Sequence, residues 1–278
     1  LNQHHSSGTS AAVATTKTVV ISRFGGDMDG LVNQKWELRL LGSWQLRLGS
    51  CQVTVGPRQQ RVIAALALFG TRSRHSLASL LWPDSSEVQA AGNLRASLFH
   101  ITHKLPGIVD PRHDYLSLEP DVEVDFHKIR WLIADIRDGG LAASELAQML
   151  YHADLLPGWY DDWVIFEQER LQQLRLDGLE MLARHYLQMG DTGCATEAAL
   201  AATAIEPLRE SAQLVLLKCH VQAGNHVSAM QTFHDFRVRL NRELGVRPSS
   251  IFASLMDPVH SFQASAAQLP PRSRSAFP

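Results

Sequence analysis

The sequence predicts an α+β module followed by an all-α module. Three observations carry that expectation. Short runs near the N-terminus alternate apolar and polar residues, the period-2 pattern of half-buried strands. Capped stretches of helical period follow them. Beyond residue 127 the pattern is helical, with matched residues recurring every 34 positions.

The strands come first. "WELRLLG" sets Trp36, Leu38 and Leu40 against Glu37 and Arg39. "WQLRLGS" repeats the alternation with Trp44, Leu46 and Leu48, and "CQVTVG" with Cys51, Val53 and Val55. Gly42-Ser43 and Gly49-Ser50 read as tight turns between them. A small antiparallel meander with one buried face is expected.

Helices follow. Pro57 opens one that ends at Gly70, and Ser76 opens a short one stopped by Pro83. Ser86 and Gln89 fit a capping box for a helix running from Glu87 to about Leu105, before Pro106-Gly107. "DYLSLEPDVEVDF" alternates again and reads as a β-hairpin turning near Glu119-Pro120-Asp121. Strands, helix, helix-turn-helix and hairpin together are the layout of a winged helix.

The helical half carries an internal repeat. Gly190 and Gly224, Ala195 and Ala229, Leu182 and Leu216, and Ala199 and Phe233 are each 34 residues apart. That is the length of a tetratricopeptide-type helix pair. Small residues let such helices cross closely, and large ones fill the gap to the next helix. Two clear units are expected, with a degenerate pair before them. The fold class is therefore an α+β N-terminal winged helix-turn-helix domain followed by an all-α tetratricopeptide-like repeat domain. The expected boundaries are a disordered tail over 1–34, the winged helix over 35–126, the helical domain over 127–262 and a second disordered tail over 263–278. The chain starts with Leu, and Met28 reads as a start of translation.

Composition bounds the function. The net charge is −2, but it is unevenly spread. From Trp36 to His113 there are nine Lys or Arg against four Asp or Glu. From His127 to Phe262 there are twelve against seventeen. A basic first module joined to an acidic second one is the asymmetry a nucleic-acid reader presents. The three cysteines, Cys51, Cys194 and Cys219, are far apart and form no CxxC. They indicate neither a disulfide framework nor a thiolate zinc site, so a cytoplasmic, reducing setting is expected. The N-terminal stretch lacks the basic start and continuous apolar core of a secretory signal. Phosphate-binding, dinucleotide-binding, nucleophile-elbow and zinc-protease motifs are missing. Asp161 and Asp162 are adjacent, so they do not face each other on a helix and read as capping residues. No enzyme activity, cofactor or metal is expected.

The helix Glu87–Leu105 holds the candidate site. At 100° per residue, Ala91, Leu94, Leu98, Ile101 and Leu105 share a core face. The opposite face holds Gln89, Gly92, Ala96, Phe99, His100 and His103, flanked by Asn93, Lys104, Arg95 and Thr102. Asn offers a paired donor and acceptor to adenine, and Arg a fork to guanine or phosphate. Taken alone, the residues also allow a plain wet surface. A metal site on His100 and His103 is poorly supported, since no Cys or nearby carboxylate completes it.

Several stretches taken in order resemble the Streptomyces antibiotic regulatory protein (SARP) family of bacterial transcription activators. They are "LLGSWQLRLGSCQVTVGPRQQRVIAALAL", "SLASLLWPDSSEVQAAGNLRASLFHITHKL", "VDFHKI", "LLPGWYDDWVIFEQERLQQLRLDGLEMLARHYLQMG" and "EPLRESAQLVLLKCHVQAGNHVSAMQTFHDFRVRLNRELGVRPS". The likeness spans roughly Trp36 to Phe262. It implies an OmpR-type winged helix joined to a bacterial transcriptional activation domain. It also implies promoter DNA carrying direct repeats, contact with RNA polymerase, side-by-side protomers and a cytoplasmic, nucleoid-associated protein. On that basis Asn93, Arg95, Ala96, Phe99, His100, His103 and Lys104 are the expected DNA contacts on the reading helix. Arg112 and Tyr115 are expected on the wing, and Arg58 and Arg61 at the start of the preceding long helix. The family often carries Trp and several Arg late in the reading helix; here Phe99, His100, Thr102 and His103 stand there. Fewer permanent charges mean fewer phosphate contacts. Two histidines on the face also predict tighter binding as pH falls through about 6.5, where histidine ordinarily gains charge. The competing expectation is an interaction scaffold whose winged helix no longer binds DNA.

Overall fold

The computed structural model describes residues 35–111, 114–138, 140 and 142–257. The tails expected at 1–34 and 263–278, and Arg112 and His113 of the wing, lie outside the described residues. The chain forms two compact units. The first is the chain up to Trp131 together with His152–Glu169; the second is Leu132–Tyr151 together with the chain from Arg170 onward.

In the first unit, β1 (Trp36–Arg39), β2 (Gln45–Leu48) and β3 (Cys51–Gln52) form the expected antiparallel meander. The register pairs Trp36 with Leu48 and Leu38 with Leu46. It buries Trp36, Leu38, Leu40 and Leu46 on one face. Gly42 and Gly49, at φ 77° and 56°, make the turns, where a side chain would be strained. A second sheet holds β4 (Arg72–Ser73), β5 (Val109–Asp110) and β6 (Tyr115–Leu118), in the order β4-β6-β5.

The expected hairpin within Asp114–Phe126 is corrected here. β6 is central in its sheet, with β4 on one edge and β5 on the other, so both edges are filled. The next strand, β7 (Glu123–Val124), instead pairs parallel with β1 on the free edge of the meander. A turn whose Val122 N–H donates to the Glu119 carbonyl redirects the chain. The Asp125 carboxylate then accepts the N–H groups of Leu40 and Leu41 at 2.9–3.0 Å. The hairpin of this fold is β5–β6.

Helix α1 (Pro57–Phe69) buries Val62 through Leu68 without a break and stops at Gly70, φ 69°. Helix α2 (Arg74–Leu81) starts earlier than Ser76. Its cap is Ser73, whose hydroxyl accepts the Ser76 N–H at 3.2 Å. Helix α3 (Glu87–Lys104) carries the expected capping box, with Ser86 and Gln89 each bonding the other's backbone. Helix α4 (Asp125–Arg137) follows β7.

Residues 152–169 complete this unit. Leu155 bridges Leu41, Gly42 N–H donates to the Asp154 carbonyl at 2.7 Å, and Leu156 N–H to the Leu40 carbonyl at 2.8 Å. Trp163 packs on Phe69, ring centroids 6.0 Å apart.

The second unit is helical: α5 (Ala143–Tyr151), α6 (Asp162–Gln188, which starts in the first unit), α7 (Thr192–Ile205), α8 (Glu210–Gln222), α9 (His226–Leu244) and α10 (residues 250–257). α8 packs against both α7 and α9. The interval of 34 is structural as well as textual. Gly190 and Gly224 both take positive φ after a helix. Asp191 N–H donates to Tyr186 and Asn225 N–H to His220, each at 2.9 Å, at matching positions of successive units. Ala195 and Ala229 are both fully buried, as close helix crossings require. Gly178 of α6 serves the same end, since a Cβ there would come within 2.8 Å of Leu150.

Candidate nucleic-acid interface

α3 sits second in a helix-turn-helix. α2 ends at Trp82, residues 83–86 turn, and Ser86 caps α3. The helix buries Ala90, Leu94, Ser97, Leu98 and Ile101. The polar member, Ser97, donates its hydroxyl to the Asn93 carbonyl at 2.9 Å, so its burial leaves no unpaired group. The core face is turned slightly from the expected one: Ala90 is buried and Ala91 only half-buried. Between α2 and α3 runs an open groove of about 290 Å³ lined by Arg74, His75, Ser79, Glu87 and Arg95 among others. His75 and Glu87 face each other across it at 3.3 Å, both largely exposed.

The outward face is as the periodicity places it. Gly92, Arg95, Ala96, Phe99, His100, His103 and Lys104 are exposed, and Asn93 is half-buried. Phe99 is 59% exposed. It does not stand alone. His103 lies over it with ring centroids 4.0 Å apart, and His103 Nδ1 is 2.9 Å from the Phe99 carbonyl. A carbonyl only accepts, so that nitrogen carries the proton in this contact. His100 meets the Phe99 ring edge-on, centroids 5.9 Å apart. The three rings form one aromatic ridge. Gly92 has open space around it: a Cβ would meet nothing within 4 Å.

The wing is the β5–β6 hairpin. Tyr115, at the loop end of the hairpin, is 63% exposed. Arg112 lies outside the described residues. The wing is tied to the helix-turn-helix through Arg74, whose N–H donates to the Asp114 carbonyl at 3.0 Å and whose guanidinium donates to the Pro111 carbonyl at 2.9 Å. Arg72, exposed beside it, lies over the Phe69 ring at 5.7 Å. Neither arginine stands out in sequence, because only the pairing of β4 with β6 brings them to the wing.

Arg58 is exposed at the first turn of α1, where the N-cap residue is a glycine without a capping side chain. Arg61 is placed differently from the expectation. Its guanidinium pairs with the Asp161 carboxylate and donates to the Leu81 carbonyl at 2.7 Å, at the end of α2. Its side chain is 27% exposed, so the charge is spent on holding three segments together. Asp161, read as a cap, gives its carboxylate to Arg61, while its backbone carbonyl begins α6 by accepting from Val164 and Ile165.

Among the described residues, no group of three or more His, Cys, Asp or Glu is placed to hold a metal ion. No helix among them is long and apolar enough to cross a membrane.

Residues 134–259 match the family model of the bacterial transcriptional activator domain. The fold is similar to that of Mycobacterium tuberculosis EmbR, solved in complex with a low-affinity phosphopeptide. That match has a TM-score of 0.62 at 18% identity and covers 84% of this chain and 70% of EmbR. No curated protein sequence is significantly similar to the chain.

Proposed function

We propose that this chain, a transcriptional regulator of the SARP type with a bacterial transcriptional activator domain over residues 134–259, acts by sequence-specific binding of promoter DNA. The observation that carries the reading is the outward face of α3: a rigid, capped helix presenting Asn93, Arg95 and an aromatic ridge to solvent. In the proposed complex α3 enters the major groove. Asn93 and Arg95 read base edges. Gly92 and Ala96 allow close approach, Phe99 meets a thymine methyl, and His100, His103 and Lys104 reach bases or flanking phosphates. Tyr115 and Arg112 contact the backbone or the adjacent minor groove. Arg58 approaches phosphate at the start of α1, and Arg72 and Arg74 extend the basic edge toward the wing. Arg61 holds α1, α2 and α6 in register rather than touching DNA. The helical domain expected over residues 127–262, which contains this match, serves partner contact, with RNA polymerase and a second protomer on direct repeats as the partners proposed.

Selection of sheared genomic DNA by the purified chain at two salt concentrations tests this, beside Asn93→Ala/Arg95→Ala as control. A recurring motif that the control does not select, weakened as salt rises, is the expected result. Folded protein that enriches nothing would refute it. That outcome would favour the scaffold reading, motivated by the arginine-poor late turns of α3 and the acidic second half.

A further inference from the structure

The first turn of α3 carries Val88, whose side chain is 83% exposed. It has no part in the core. Ala90, Leu94, Ser97, Leu98 and Ile101 anchor the helix, and the capping box fixes its start. Exposure alone says little, since single apolar residues are common on protein surfaces. The place of Val88 in the fold says more.

At 100° per residue, Val88, Gly92, Phe99 and His103 fall within about 60° of one another. All four are exposed. Val88 therefore begins the outward stripe that ends in the aromatic ridge. Phe99 lies three turns further on, about 16 Å along the axis. Bases on one strand repeat every ~3.4 Å, so the two apolar groups lie on one line but cannot meet the same base pair.

The surroundings suit Val88 to a close apolar contact. Valine in a helix keeps almost entirely to one rotamer, so covering its two methyl groups costs little side-chain freedom. Gly92, one turn on, leaves that flank open, since a Cβ there would meet nothing within 4 Å. Glu87 is the only carboxylate on α3. It lines the groove toward α2 and lies 3.3 Å from His75, about 100° round the helix from Val88. Negative charge is thus kept off the stripe.

The N-terminal residues of the second helix in a helix-turn-helix are the ones that meet base edges. In the major groove the apolar group on those edges is the C5 methyl of thymine. We infer that Val88 reads a thymine methyl, on a different base pair from the one proposed for Phe99. It then fixes a T·A pair beyond the bases that Asn93 and Arg95 address. The inference rests on the proposed DNA-binding function and adds a specificity-determining residue to it.

The test uses the full chain and a genomic fragment that it selects. Affinity is measured on the fragment as it stands and with each thymine in turn replaced by deoxyuridine, which lacks the C5 methyl. One replacement should weaken wild type about fourfold, the factor that burial of one methyl-sized group supplies. Val88→Ala should bind the unmodified fragment about fourfold more weakly and lose nothing further at that thymine. Phe99→Ala should remain sensitive there. Leu200→Ala, which trims an exposed apolar residue of α7, should bind like wild type. Val88→Ala removes no buried contact, and an unchanged melting curve establishes that it folds. A Val88→Ala variant that binds like wild type, or that stays sensitive at every thymine where wild type is, would overturn the inference and leave the DNA-binding reading standing. A chain that selects no genomic DNA would refute that reading and this inference with it.

Discussion

Helices α3 and α7 are built alike and used differently. Each is side-chain capped at its N-terminus, by Ser86 and by Asp191. α3 buries Leu94, Leu98 and Ile101 with two small residues and turns arginine, lysine and aromatic rings outward. α7 buries only alanines, Ala195, Ala198, Ala199 and Ala202, and turns Glu197 and Leu200 outward. An alanine face lets α8 come close and makes α7 a spacer in a stack. A face of larger side chains locks α3 in one orientation, so that its outer groups are aimed. The contrast teaches that in this chain the buried side of a helix sets what its exposed side is good for.

The largest expected effect breaks the lock. Ile101 is fully buried, and Ile101→Ala should cost about 2–5 kcal/mol of stability by leaving a cavity. Chemical denaturation would measure it, and DNA binding should fall with the folded fraction. The outer face should behave in the opposite way. Asn93→Ala/Arg95→Ala should leave the melting temperature nearly unchanged while weakening binding by about 1–3 kcal/mol for each bidentate base pairing it removes. Equal losses of stability and binding in that double variant would erase the distinction between the two faces.

Gly92 sharpens it further. A methyl group there meets nothing within 4 Å of the protein. Gly92→Ala should therefore stabilise α3 by up to about 1 kcal/mol while weakening binding to the selected site, because the new group would face the DNA in the proposed complex. A variant both more stable and equally tight would show that Gly92 is not at the interface.

The smallest effect belongs to the repeat unit. His220 of α8 has a buried Nδ1 without a hydrogen-bond partner among the described residues, and burial holds its pKa below the ordinary histidine value. The unfolded chain then takes up the proton first, at about pH 6.5. Stability contributed by neutral His220 is full above that pH and is lost as pH falls, until the folded form also protonates. Melting curves between pH 8 and 5 should show the decline, and His220→Phe should flatten it.

Much of this was legible in the sequence because it is local. The capping box at Ser86 and Gln89, the outward face of α3 and the interval of 34 are spacings within one helix or between adjacent units. What escaped is long-range. β6 and β7 read as one hairpin, since alternation marks a strand but does not say which edge it joins. Arg61 read as a phosphate contact because its partner, Asp161, lies 100 residues away. Arg72 and Arg74 became part of the candidate interface only through a strand pairing of two residues.

The most direct test of α3 as the reading helix places a photo-cross-linking amino acid at Phe99 in one protein and at Leu200 in another. Each is irradiated on a genomic fragment selected by the chain. A cross-link to bases from position 99 and none from position 200 is the predicted result. No cross-link from 99, with the protein bound and folded, or a cross-link from 200 alone, would contradict it.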